Sequence, residues 1–309
     1  MEKRNEIVQT NISYTYEIMM NDIKELKNQY SFLKTGNIGY SVLGKPIPYV
    51  KVGNGEKEVM YNASFHANEW ITTVVLMKYI EDFCRAYEKD EKIYGYKARK
   101  IFTTTTIYLI PMVNPDGVNL VTGAIDENTR IYQNFKNIAE NFPAIPFPSG
   151  WKANFNGVDL NLQFPAGWLE ARKIKFALGY TMPSPRDFVG KGPLTEPEAL
   201  AIYSFTLQHN FRLILAYHTQ GEVIYWKYRN YLPPESEYIG KLFALSSGYT
   251  LELTPPESAY AGYKDWFIQE YNRPGYTIEA GWGINPLPIS QFDTIYQENI
   301  GILTLGAIV

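Results

Sequence analysis

The sequence of 309 residues contains one cysteine and three histidines. A lone thiol excludes an intramolecular disulfide, so the fold must rest on packing, and a reducing compartment is permitted. Cys84 itself lies on an apolar helical stripe and reads as a core residue. Long hydrophobic runs are also missing. The longest, at 107–113 and 300–309, fall well short of the roughly 18 residues that suggest a membrane span, so no membrane partner is expected. Neither charge sign is gathered into a block: 29 Lys and Arg stand against 32 Asp and Glu, which gives no footing for nucleic acid. There is no internal repeat, low-complexity tract or Ser/Gly linker, which favours one catalytic domain over 1–309, with 1–13 set apart as a flexible extension. The opening residues Met1 to Glu6 lack the apolar stretch of a signal peptide, and the expected location is the cytoplasm.

What is present is an ordinary globular composition with 45% hydrophobic residues, enough for a sizeable core. Residues 14–30 place Ile18, Met19, Ile23 and Leu26 on a helical period, and 38–52 reads as paired short strands. A strand at 58–63 leads into a helix at 69–87 bearing Val74, Val75, Tyr79, Ile80 and Phe83. Further strands are predicted at 102–110, 212–217 and 275–279. The alternation indicates an α/β fold, a mixed or mainly parallel sheet with helices on both faces. The Pro-, Gly- and Asn-rich stretch 114–193 reads mostly as long ordered loops, which in a compact domain are usually functional.

The histidines narrow the chemistry. His66 follows a strand and stands three residues before Glu69, at the carboxyl edge of the sheet. His-x-x-Glu alone is frequent by chance, and Glu69 could equally complement a helix dipole. His218 also follows directly on a hydrophobic strand, and strand ends on one side of an α/β sheet converge on a ligand crevice. Two His and one Glu form a three-ligand zinc set with a position left open, as a catalytic site requires. Glu279, ending another apolar strand, is placed to act as general base, although taken alone it could serve in a salt bridge. His209, near a helix end with no partner in view, reads as a surface or capping residue.

From about residue 14 to the C-terminus the chain resembles the zinc metallocarboxypeptidase family. The markers occur in the family's order: His66-x-x-Glu69, Asn114-Pro115-Asp116-Gly117, Gly157-Val158-Asp159-Leu160-Asn161, Thr195-Glu196-Pro197-Glu198, His218, Lys264-Asp265-Trp266 and Glu279. The resemblance implies a single-domain α/β/α sandwich around a mixed sheet of about eight strands. It also implies one Zn2+ held by His66, Glu69 and His218, with Glu279 as base and Asp159 orienting a ligand histidine.

Three departures bear on substrate. Asn68 stands where the family often has arginine. The pair that clamps a terminal carboxylate reads Asn161-Leu162, and Leu162 cannot form that clamp. Trp151-Lys152 replaces a Trp-Arg, so Lys152 inherits oxyanion stabilisation as a point charge. The wording around His66, Gln163, His218 and Tyr260 looks like the bacterial γ-D-glutamyl-L-diamino acid endopeptidases, which cut peptidoglycan stem peptides between D-glutamate and diaminopimelate or lysine. By that resemblance Asn161, Asn68, Thr219 and Lys264 are expected to touch substrate. Lys264 would take an acidic or zwitterionic side chain, and Tyr260 stands in for the family's mobile tyrosine. Such an enzyme would recycle wall peptides or be released from a sporulating cell. An exopeptidase or deglutamylase on the same scaffold, or a non-catalytic wall-peptide-binding protein, remains the rival reading.

Overall fold

The computed structural model describes residues 6–309. The order is α1 (Tyr16–Gln29), β1 (Lys34–Tyr40), β2 (Pro46–Val52), β3 (Lys57–Ala63), α2 (Ile71–Glu88), a small hairpin β4 (Lys92–Ile93) and β5 (Tyr96–Lys97), α3 (Ala98–Thr104) and β6 (Thr105–Ile110). Then follow α4 (Pro115–Val121), α5 (Arg130–Ala139), α6 (Trp168–Ala177), α7 (Pro197–Leu207), β7 (Phe211–His218), β8 (Val223–Tyr225), α8 (Ser236–Ser247), β9 (Thr250–Glu252), α9 (Tyr263–Tyr271), β10 (Gly275–Glu279) and α10 (Phe292–Ile308).

Eight strands form one mixed sheet in the order β1-β2-β6-β3-β7-β10-β8-β9. The centre, β6-β3-β7-β10, is parallel, and antiparallel pairings lie to either side. Alternate residues serve two cores, as the period of two requires. Val59, Tyr61 and Ala63 of β3, with Leu213, Leu215 and Tyr217 of β7, pack in the core that holds α1, α2 and α10. Met60, Ile214 and Ala216 face the opposite core, with residues of α7 and α9. Burial on both faces explains why these strands read as near-continuous apolar runs. Because the central strands are parallel, the carboxyl ends of β3, β7 and β10 meet at one edge.

Several expectations change. Phe102 to Thr104 belong to α3 rather than to a strand: Ile101 and Phe102 are buried on the helical side, and the Thr104 hydroxyl bonds back to Lys100 O at 2.9 Å. The Thr run favours extended chain only from Thr105. The stretch 114–193 holds three α-helices, two of them capped by side chains, Asn114 accepting from Gly117 N and Thr129 from Tyr132 N. Of the supposed flexible extension 1–13, residues 1–5 lie outside the described residues. The remainder is packed, with Val8 buried and the Ile7 amide bonded to Glu81 Oε1 at 2.6 Å.

Candidate active site

The end of β3 is built to turn. Ser64 adopts φ +51°, a costly conformation for a residue with a side chain, and is held there by bonds from its hydroxyl to Thr73 (2.7 Å) and its amide to Thr72 Oγ1 (3.2 Å). The turn buries Phe65 and delivers His66 to the sheet edge. A single 3-10 turn at Ala67–Glu69 then brings the Glu69 carboxylate to His66, Nδ1 to Oε1 2.9 Å. His218 is the last residue of β7, and its Nδ1 lies 2.9 Å from Glu69 Oε2 and 3.2 Å from His66 Nδ1.

Both rings therefore turn Nδ1 toward one carboxylate, and the three ligand atoms lie within 4.8 Å of one another. Two imidazole nitrogens so close, beside a buried carboxylate, call for a cation between them. Burial disfavours charge on His66, but Glu69 and Asp159 outweigh it and push the pKa up to about 9. Asp159 Oδ1 meets His66 Nε2 at 3.0 Å, holding a ring proton on that nitrogen and leaving Nδ1 to face the shared point. Two nitrogens and a carboxylate oxygen, with no fourth protein ligand in the group, fit one zinc ion at a catalytic site.

The other groups arrive by different routes. Glu279 ends β10 directly beside His218 in register. Although its carboxylate opens on to the cleft, the surrounding protein desolvates it and raises its pKa; the charge of His218 opposes the rise and that of Glu69 adds to it. Lys152 follows Trp151, whose buried indole donates to Ala153 O at 2.8 Å. The lysine Nζ lies 2.9 Å from Glu69 Oε1, and Glu69 keeps the amine protonated against the cost of burial. Asn114 ties these loops together, its Nδ2 reaching Phe65 O and Ala153 O at 3.2 and 2.9 Å. Gly117 has no room for a side chain, since a Cβ would stand 2.7 Å from both Ala153 O and Ala67 Cβ. Gln163 and Asn154 likewise bind the Thr195–Glu198 segment. Much of the shared motif set is thus scaffolding for two loops.

All of this opens on to a cleft of about 830 Å³. His66, Asn68, Glu69, Lys152, Asn161, Thr219, Lys264 and Glu279 line it, but their side chains are differently committed. Asn68 Nδ2 bonds Ser149 O, Asn161 Oδ1 accepts the Tyr263 amide, and Thr219 Oγ1 donates to Asn285 Oδ1. Lys264 is no solvated lysine. It is buried, its Nζ bonded to Lys227 O and Thr254 Oγ1 and 2.6 Å from Asp265 Oδ1, so its charge is already neutralised. Tyr260 departs from expectation and lies outside the lining of the cleft. Its ring packs over Gly167, where a Cβ would approach to 2.8 Å, under the Arg229 guanidinium at 5.1 Å. The tyrosines on the cleft wall are Tyr180 and Tyr225, neither of which sequence reasoning singled out. Tyr225 lies on β8 beside β10, and burial with the Glu279 charge pushes its phenol up to about 12. Arg186 and Asp187 were also missed, because the loop 181–187 has no periodicity and no motif. His209 is remote from the cleft and has a partner, Glu58, at 3.3 Å.

Fold and site together define an α/β zinc hydrolase with its ligands at parallel strand ends. Residues 19–301 match the zinc carboxypeptidase family. Gamma-D-glutamyl-L-diamino acid endopeptidase 1 of Lysinibacillus sphaericus is 50% identical over 294 residues, which cover 95% of this chain and 72% of the relative. The uncharacterized protein YqgT of Bacillus subtilis (strain 168) is 43% identical over 284 residues, 91% of this chain and 74% of that one. Among solved structures, carboxypeptidase A of Helicoverpa armigera superposes with a TM-score of 0.72 at 18% identity, covering 99% of this chain and 74% of that one, which shows the common fold. The chain belongs to the zinc carboxypeptidase family and is a zinc metallopeptidase.

Proposed function

We propose that this peptidase hydrolyses the γ-D-glutamyl bond to meso-diaminopimelate or lysine in bacterial peptidoglycan stem peptides, and that residues 1–309 act as one catalytic unit. The reading rests on the half-identical relative that carries that activity in its name, taken with a cleft wall that matches it. At the position where a carboxypeptidase would clamp a terminal carboxylate, Leu162 packs against an apolar cluster with Ala171 and Val189. An apolar wall there removes the reason to demand a chain end.

When bound, zinc supplies the electrophile that polarises the scissile carbonyl and acidifies water at neutral pH. Glu279 takes the proton from the attacking water on a carboxylate oxygen and returns it to the leaving amine. Its raised pKa suits both halves of that exchange. Lys152 places a positive charge beside the developing oxyanion. Asp159 holds His66 in the orientation that keeps Nδ1 on the ligand point. Thr219, Asn68 and Asn161 line the substrate path. Lys264, expected from the sequence to take an acidic side chain, is spent on Asp265, Lys227 O and Thr254 Oγ1 and so shapes that wall of the cleft rather than offering a free charge. In the cell this activity suits cytoplasmic recycling of wall peptides, or release on lysis of a sporulating cell. Among the described residues no helix is long and apolar enough to cross a membrane.

The test is product analysis. With zinc, L-Ala-γ-D-Glu-meso-diaminopimelate is expected to yield L-Ala-D-Glu and free diaminopimelate by mass spectrometry, and chelation is expected to stop it. Release of a single terminal residue from longer stems, with the γ-glutamyl bond intact, would instead establish an exopeptidase.

A further inference from the structure

One wall of the cleft holds a cation that the mechanism above does not use. Arg186 lines the cleft with its side chain 43% exposed. Its Nε donates to Asp187 Oδ2 at 2.6 Å, and the other oxygen of Asp187 is taken by Lys175 Nζ at 2.5 Å. Lys175, on α6, is buried and also lines the cleft, so two cations share one carboxylate and leave a surplus positive charge facing the opening. The Asp187 amide in turn donates to Asp159 Oδ2 at 3.3 Å, the residue whose other oxygen meets His66. The guanidinium is thereby fixed relative to the ligand cluster. Among the described residues its hydrogen bonds and ion pairs run through Nε to Asp187, so both Nη groups remain available as a fork for a planar anion.

The cleft also has a polarity. Glu279, which protonates the leaving amine, lies with Thr277 and Tyr225 on the β10–β8 side, and Lys264 and Thr254 extend that side. Arg186 lies on the other side, with Asp159 and Lys152, whose amine feels its charge. A group bound to Arg186 therefore belongs to the acyl half of the substrate.

We infer that Arg186 is a specificity residue that binds the free α-carboxylate of the γ-linked D-glutamyl unit. This rests on the wall-peptide reading above. A γ-linkage leaves that carboxylate on a short tether from the scissile carbonyl, where an α-linked residue other than glutamate carries no carboxylate. The Arg186 fork thus selects a glutamyl unit whose second carboxylate is free, and offsets the absence of a carboxylate clamp at Leu162.

The experiment compares zinc-loaded wild type, Arg186→Lys and Arg186→Met on two peptides, L-Ala-γ-D-Glu-meso-diaminopimelate and the same peptide with the D-glutamyl α-carboxylate amidated. Wild type should favour the acid, and Arg186→Met should lower kcat/KM for the acid by about 10- to 100-fold, mostly through KM, with little change for the amide. Arg186→Lys should recover part of the preference. Calorimetric binding of L-Ala-D-Glu should weaken in the same order, and unchanged melting temperatures would separate the effect from misfolding. If wild type cleaves the acid yet all three proteins show the same acid-to-amide ratio, the assignment fails alone. If the variants respond instead to amidation of the diaminopimelate carboxylates, the acyl-side placement is overturned. Failure of wild type to cleave either peptide, while hydrolysing other peptides, would overturn the substrate reading and this assignment with it.

Discussion

Glu279 shows what a single position gains from its surroundings. A glutamate at the end of an apolar strand is ambiguous in sequence, equally at home in an ion pair. Among the described residues it has no committed cationic partner, yet it stands beside His218 in a desolvated cleft with a raised pKa. Glu279→Gln keeps the shape and removes the proposed proton carrier. It is expected to lower kcat by roughly 100- to 10,000-fold while leaving zinc stoichiometry near one, checked by steady-state kinetics and metal analysis on the same preparation. Equal turnover in the variant would remove Glu279 from the mechanism. Lys264 and Arg186 form the converse pair. The lysine looked free in sequence and is neutralised by Asp265, whereas the arginine carried no motif and keeps its fork open to the cleft. Which cation is spent and which is available depends on partners brought by other segments, and no local pattern encodes that.

Among elements, the central strands were legible because burial on both faces forces apolar runs, and α1 and α2 because their stripes repeat on a helical period. α4 to α6 were not. They are short, sit among Pro, Gly and Asn, and owe their ends to caps and tertiary contacts rather than to periodicity. α1 also carries a pH-dependent cost. Asp22 is buried beneath the Tyr14 hydroxyl, and burial, with Glu25 and Glu81 nearby, pushes its carboxyl up to about 6 despite that hydrogen bond. A folded-state pKa above the ordinary value means that the folded chain holds the proton more tightly. The cost is absent near pH 4, grows as pH rises toward 6, and is complete above it. Asp22→Asn keeps an acceptor for Tyr14 and drops the charge. Denaturant unfolding should find it as stable as wild type near pH 4 and roughly 1–2 kcal/mol more stable at pH 8.

For the whole molecule, the proposed ligand cluster would couple metal to stability. His66 and Glu69 follow β3 and His218 ends β7, so an ion bound at the shared point would cross-link two strand ends. Chelation is expected to lower the melting temperature by about 5–10 °C at neutral pH, and zinc readdition to restore it, followed by calorimetry. An unchanged melting curve across zinc and chelator would show that the cluster binds no metal tightly.

The sequence by itself determined the alternation of strands and helices, and it pointed to one edge of the sheet as the place for residue types able to hold a metal. These are local matters: periodicity sets an element's buried face, and a polar residue just past an apolar strand can lie only at the sheet's rim. Only the tertiary structure decided that His66 and His218, 152 positions apart, share one carboxylate, that Tyr260 turns away from the cleft toward Gly167 while Tyr225 enters it, and that Asp187 is divided between Lys175 and Arg186. Those outcomes follow from strand register and close packing, which fix distances between segments that carry no information about one another until they meet.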